Sequence, residues 1–457
     1  MLPEYIARSS PNSTANRAPW YKSTAPSYAG IFLWVAFYVS MAQNTINHAS
    51  LGLCIAALAV AGLLSYALFY HVPAMLGMQT GFPLYVVGSS TFGTTGGYVM
   101  PGLLMGLLQV GWFAVSTFFA TKFILSGVHS EAQPGSLSFI VIGVIWGYLM
   151  AYIGAMGIQY VARVSLYLNL IPFLMILIVF SKTAPGISNH VVSEPNPLFA
   201  FTLLLQIVIG FFATAGAAGA DFGMNNRNEK DVRLGGLTGI ALAVLFAGGL
   251  PILSVAGARA LNPNIQSFGY DAVISSMGGV LASAMFFLFT IASIGPACFC
   301  AFIAGNSFST MIPGVKRMSS TMAGVTVAII LAVTGAAADL IGFFTIVGAS
   351  FGPICGAMAA DYLLSGKRWP GPREGINWAG YIAWAIGFVI GILPNLPVSP
   401  ALKAHAQPAV LYSFFAGFII YAVLAKAGLE PCTVPLEEAG VRAPIGGNQS
   451  KRGRATA

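Results

Sequence analysis

The sequence predicts an all-α membrane protein of about twelve transmembrane helices, and three observations carry that prediction. Charged residues make up 7% of the 457 positions and hydrophobic ones 57%, where a soluble domain carries about 25% charge. Apolar runs recur at lengths suited to a hydrocarbon core about 30 Å thick, which takes roughly 20 helical residues to cross. The basic residues gather on one side of the resulting map, as membrane topology requires. A mean hydropathy of +0.79 agrees. One soluble core is excluded by size, since such cores rarely grow past about 300 residues. The runs are too long and too unalternating for barrel strands, which leaves helices.

Residues 1–29 are polar, carry Pro11, Pro19 and Pro26, and contain no apolar h-region. They read as a cytoplasmic N-terminal segment, not as a cleavable signal. Spans are expected near 30–47, 50–71, 97–126, 136–156, 160–181, 198–220, 235–257, 273–304, 320–337, 339–364, 377–394 and 409–428. Residues 429–457, rich in Gly, Pro, Lys and Arg, read as a mobile cytoplasmic tail. An even number of spans puts both termini on one side. On that side fall 17 of the 21 Lys and Arg, Arg8, Arg163, Arg442, Lys451, Arg452 and Arg454 among them; Lys122, Lys182, Arg259 and Lys403 fall on the other. The expectation is a multi-pass protein of the cell (inner or plasma) membrane, both termini cytoplasmic. The net charge of +8 is dotted between apolar runs and makes no nucleic-acid patch, so the partners expected are lipid and a small molecule. Nothing in the sequence speaks to oligomeric state.

Five cysteines, Cys54, Cys298, Cys300, Cys355 and Cys432, include no CxxC pair. They read as reduced packing residues, with neither a zinc site nor a disulfide framework.

Broken membrane helices offer free backbone groups to a solute near the bilayer midplane. Three spans look broken. The first carries Ser40, Gln43, Asn44, Thr45, Asn47 and His48 after an apolar start. The sixth holds a run of small residues from Gly210 to Asp221. The tenth contains Gly348-Ala349-Ser350-Phe351-Gly352-Pro353. Close packing through small residues is the alternative reading for each. Spans one and six would be corresponding members of two five-span halves. Asp221, Asp339 and Asp361 lie at span ends and Lys122 near the outer end of span three, so the midplane lacks an ionisable group. A neutral solute follows, and sodium held by carbonyls and hydroxyls is easier to accommodate than a proton relay.

In span three, Gln109, Trp112 and Ser116 share one helix face by their spacing of three and four. An amide offers donor and acceptor together, and an indole face stacks flat rings.

At this point the chain resembles the nucleobase–cation symporter family, the cytosine and purine permeases with hydantoin and allantoin transporters. Ala18-Pro19-Trp20-Tyr21, Gly81-Phe82-Pro83, Thr91-Phe92-Gly93, Gln109 with Trp112, and Ala220-Asp221-Phe222 match in order. The most specific match is Phe351-Gly352-Pro353-Ile354-Cys355-Gly356-Ala357-Met358-Ala359-Ala360-Asp361-Tyr362. Together they cover about residues 18 to 365.

The resemblance implies a LeuT-type fold: a first five-helix repeat at 30–181, a second inverted one at 198–364, and two extra C-terminal helices at 377–428. It implies a substrate site between spans one, three, six and eight. Trp112 and Phe212 match the rings that sandwich the substrate, and Gln109, Ser116 and Ser40 match positions facing it. Phe211 stands where relatives have a small residue. Gly295 and Phe299 stand in span eight, where family asparagines that read the ring are missing. The implied sodium site takes carbonyls of Ala36, Val39 and Thr290 and the hydroxyl of Ser293; the second hydroxyl position is Ile294. No cofactor other than such a sodium ion is implied. The expected function is a symporter importing a nucleobase-like neutral heterocycle by alternating access, driven by sodium or protons. The alternatives are a non-transporting binding or sensor protein on this scaffold, and a carrier of the same fold for another small solute such as an amino acid. No GxSxG, HExxH or P-loop motif is present, and no enzyme is expected.

Overall fold

Charge-poor runs of this length can satisfy their backbone only as helices, and the regular structure is helical throughout. The computed structural model describes residues 2–43 and 45–435, with the backbone alone at 157–166. Asn44, the side chain of Arg163, and 436–457 with Arg442, Lys451, Arg452 and Arg454 therefore lie outside the described residues.

Among the described residues ten helices are long and apolar enough to cross a membrane: Leu51–Thr80, Gly96–Gly127, Leu137–Met156, Leu170–Asn189, Pro197–Ala217, Glu229–Leu261, Gly279–Met311, Leu340–Leu364, Trp378–Asn395 and Ala409–Lys426. The shorter apolar helix Arg317–Val333 supplies span nine. Span one is split into Thr24–Phe32 and Val35–Tyr38. Several starts are set by side-chain caps that satisfy orphan N–H groups. Ser50 accepts from Leu53 N at 3.3 Å, Asn196 from Phe199 N at 3.2 Å, and Asp339 from Gly342 N at 2.9 Å.

Spans one, two, six and seven pack together, and spans three, four, eight and nine make a second set. Span ten lies across span six and against span twelve. This is the LeuT-type arrangement. Spans two and seven each carry one widened turn, Ser65–Tyr70 and Leu237–Leu242, and these two turns touch.

Both chain ends gather at one end of the bundle, the terminal face. Tyr5 donates its hydroxyl to Thr94 O at 2.7 Å, and the Asn12 amide donates to Met224 O at 3.1 Å. The start of the expected mobile tail is tied down there. Glu430 pairs with Arg373 at 3.1 Å, and Val434 N–H donates to Pro372 O at 2.8 Å.

The helix breaks fall differently from expectation. Span one is broken as expected, but starts at Thr24, because Pro26 sits in the first turn, where its missing N–H costs nothing. Span six is helical from Pro197 through Ala217 and turns only at Ala218. Its small residues serve close packing: a side chain at Gly210 would strike the Phe344 carbonyl, and one at Gly216 would strike Phe69. Span ten is likewise one helix, with Pro353 inside it. Gly352 lies against Ser413, Gly356 against Phe414, and Gly417 of span twelve against Pro353. Small-residue packing, the alternative reading, accounts for both spans. Span eight starts at Gly279 and not at 273, since Tyr270–Ser276 forms a separate short helix and Gly278 and Gly279 take φ of 65° and 56°. It turns at Ser293. The helix of span four continues to Leu168, so span five starts at Leu170, ten residues later than the expected 160.

Candidate solute-binding site

Span one gives out where its backbone leaves helical geometry. Trp34 is extended, with φ −70° and ψ 130°, between the two short helices. Breaking the helix there turns the Trp34 ring into the middle of the bundle, where it is buried. It meets Trp112 of span three with ring centroids 5.6 Å apart and Phe211 of span six at 6.4 Å.

Trp112 is the hub. Its ring lies 5.0 Å from Phe211, edge to face, 4.9 Å from Phe343 and 5.7 Å from Phe344 of span ten. Its indole Nε1 donates to Thr214 Oγ1 of span six at 3.2 Å. Such edge-on pairs contribute about 0.5–1.5 kcal/mol each beyond burial.

Phe212 points elsewhere. It stacks on Phe32 at 5.5 Å, 18° from parallel, and packs on Tyr28 at 5.5 Å. Phe211, not Phe212, is thus the span-six ring in contact with Trp112. Consecutive residues on a helix stand about 100° apart, so only one of the pair faces span three in this arrangement.

Gln109 is buried and its amide reaches only Met105 Sδ at 3.6 Å. Ser116, fully buried one turn beyond Trp112, has no hydrogen-bond partner among the described residues. Ser40 is half-buried past the break. Gly295 is buried and Phe299 half-buried on span eight, and Phe299 joins none of these rings among the described residues. Trp34, Thr214, Phe343 and Phe344 are the residues that motif reading missed. The rings read as ordinary apolar span, and Thr214 carries no signal apart from its distance to Trp112.

The oxygens expected for sodium carry hydrogen bonds that leave each of them a lone pair. Val39 O accepts the Tyr270 N–H at 3.1 Å, and Thr290 O accepts the Ser293 N–H at 3.1 Å. The Ser293 hydroxyl donates to Phe289 O at 2.9 Å. Ala36 is buried, and the Ile294 side chain brings no oxygen. A hard cation such as calcium takes about six or more oxygen ligands, and with no side-chain oxygen at Ile294 this set falls short of that number. No cluster of three His, Cys, Asp or Glu occurs among the described residues.

Towards the terminal face a cavity of about 800 Å³ is lined by Glu4, Arg8, Asn12, Tyr85, Asn225 and Ser309, among others. Nearby Asp221, just past span six, accepts the Leu84 N–H at 3.3 Å, and burial pushes its carboxyl up to about 6. At the opposite face, Lys122 of span three pairs with Asp271 of the short helix at 2.6 Å.

No family model matches the chain. It is 25% identical over 360 residues to the cytosine permease of Escherichia coli (strain K12), covering 74% of this chain and 78% of the permease. Among solved structures it is similar to Mhp1, described as a nucleobase-cation-symport-1 family transporter in a closed conformation with bromovinylhydantoin bound. That likeness has a TM-score of 0.69 at 16% identity and covers 93% of this chain and 96% of that one. A Na+-coupled sialic acid symporter in an outward-open state is similar at a TM-score of 0.55 and 12% identity, covering 94% and 95% of the two chains.

Proposed function

We propose that the chain is a member of the nucleobase–cation symporter family and that it imports a small, neutral, flat heterocycle by alternating access, coupled to a flow of sodium or protons. The observation that carries the reading is the Trp112 ring, fixed by Thr214 at 3.2 Å in the middle of the bundle beside the break in span one. Stacking of a heterocycle on an indole is worth about 1–3 kcal/mol. The named relatives suggest cytosine and hydantoins as the solutes to try.

In this reading the solute lies against Trp112, and the Phe211 ring, now 5.0 Å away, swings aside to admit it. Phe212 is then the span-six ring that a rotation of that helix could bring over the solute. Gln109, Ser116 and Ser40 supply polar contacts from spans three and one, and Gly295 and Phe299 close the span-eight side. Spans one, two, six and seven rock against spans three, four, eight and nine. Opening outward releases Tyr270 N–H from Val39 O and Lys122 from Asp271. Opening inward lifts residues 2–17 from the terminal face, which the excess of Lys and Arg makes cytoplasmic.

A thermal-shift screen of the purified chain tests this reading against cytosine, uracil, hydantoin and allantoin. A ligand that prefers the native state stabilises it by mass action, about 2.7 kcal/mol at a hundredfold excess over Kd. Stabilisation by at least one heterocycle is expected. A flat response across the panel contradicts it.

A further inference from the structure

We propose that Trp34 is the donor that reads the acceptor edge of the solute, and so a specificity-determining residue of this site; the proposal rests on the transport reading above. A buried N–H without a partner is uncommon, and each instance calls for a reason. Among the described residues the Trp34 Nε1 atom is buried and has none. The residue is 7% exposed, so solvent does not substitute.

Its neighbours explain why the centre needs it. The indole N–H of Trp112 is engaged by Thr214 at 3.2 Å, and the amide of Gln109 is directed at Met105 Sδ. Span eight runs Ile294-Gly295-Pro296-Ala297-Cys298-Phe299 and offers no side-chain amide before Asn306. The Trp146 indole is also unpartnered, but it sits on span four and joins none of these rings among the described residues. The hydroxyls of Tyr38 and Tyr270 are unpartnered as well. They pack against each other and against Phe289, away from Trp112. Among the described residues Trp34 therefore carries the free indole N–H of the ring cluster, 5.6 Å from the stacking ring by centroid. Its place at the break fixes it there, because the extended residue cannot slide along a helix.

The chemistry sets the ligand class. An indole N–H donates and never accepts. It matches a solute with an exocyclic carbonyl oxygen or an unprotonated ring nitrogen at that edge, and it opposes one that presents an N–H there. The Ser116 hydroxyl, which can donate or accept, tolerates either. A site that loses a matched donor loses discrimination, because the solute's acceptor is then buried unpaired.

The test uses purified full-length chain, Trp34→Phe, and isothermal titration with cytosine, uracil and hydantoin, each beside its sulfur-for-oxygen analogue. Phenylalanine keeps an aromatic ring in the cluster and removes the N–H together with part of the indole's volume. For whichever heterocycle the wild type binds, Trp34→Phe is expected to weaken binding by about tenfold or more. It is also expected to erase the preference for oxygen over the weaker acceptor sulfur. A purely structural role would leave the oxygen preference intact. Equal affinity in wild type and variant overturns the inference and leaves the transport reading standing. If the wild type binds no heterocycle, both fall. If Trp34→Phe does not fold, the wild-type comparison decides: equal binding of the oxygen and sulfur forms overturns the inference, and a tenfold preference for oxygen supports it.

Discussion

Trp112 of span three and Thr214 of span six are joined by a hydrogen bond of 3.2 Å from indole to hydroxyl. The bond crosses from one packed set of helices to the other, so it both orients the stacking ring and couples the two bodies that alternating access moves apart. Thr214→Val removes the acceptor at nearly constant volume and leaves a buried indole N–H unpaired, at about 1–3 kcal/mol. Solute affinity should fall by about fivefold or more, measured by titration, while Thr214→Ser should behave as wild type.

Phe211 fills the space beside Trp112, in ring contact with Trp112, Phe37 and Phe344. Phe211→Ala should lower stability by about 3–5 kcal/mol, as phenylalanine truncations in cores do. It should also let bulkier 5-substituted hydantoins compete in binding. The check is competition by a size series: the largest accepted substituent should grow in the variant.

Arg373 and Asp361 form a buried ion pair at 2.9 Å, with exposures of 5% and 2%. The Ser90 and Thr91 hydroxyls donate to the same carboxylate at 2.7 and 3.0 Å. The pair ties the Asp-Tyr end of span ten to the loops of the terminal face. Arg373→Met strands a buried carboxylate and should cost about 3–5 kcal/mol. Adding Asp361→Asn should recover part of that loss. Thermal unfolding in detergent reads both.

Because the Ile294 side chain lacks an oxygen where a second hydroxyl is expected, the set falls short of what a hard cation takes, and replacing sodium by choline should change solute affinity by less than about twofold. A tenfold sodium effect in titration would contradict that reading of the oxygen set.

Much of this architecture was legible in the residues. Charge scarcity and run length give the spans, and the polar cluster from Ser40 to His48 marks the broken first span, because polar side chains in apolar surroundings need free backbone to meet. Spans six and ten misled for one physical reason. Gly210, Gly216, Gly352 and Gly356 look like breaks in one dimension, yet each has a facing backbone or side chain that only three dimensions supply. The site was half legible. Trp112, Gln109 and Ser116 stand out by type and spacing. Thr214 and Trp34 matter through what their polar atoms meet or fail to meet. The choice between Phe211 and Phe212 depends on helix rotation, which adjacent identical residues conceal.

Uptake by proteoliposomes tests the central claim most directly: radiolabelled cytosine, uracil and hydantoin, wild type beside Trp112→Ala. Saturable accumulation of at least one of them by the wild type, abolished in the variant, is the expected result. Uptake that survives intact without the Trp112 ring would contradict the account.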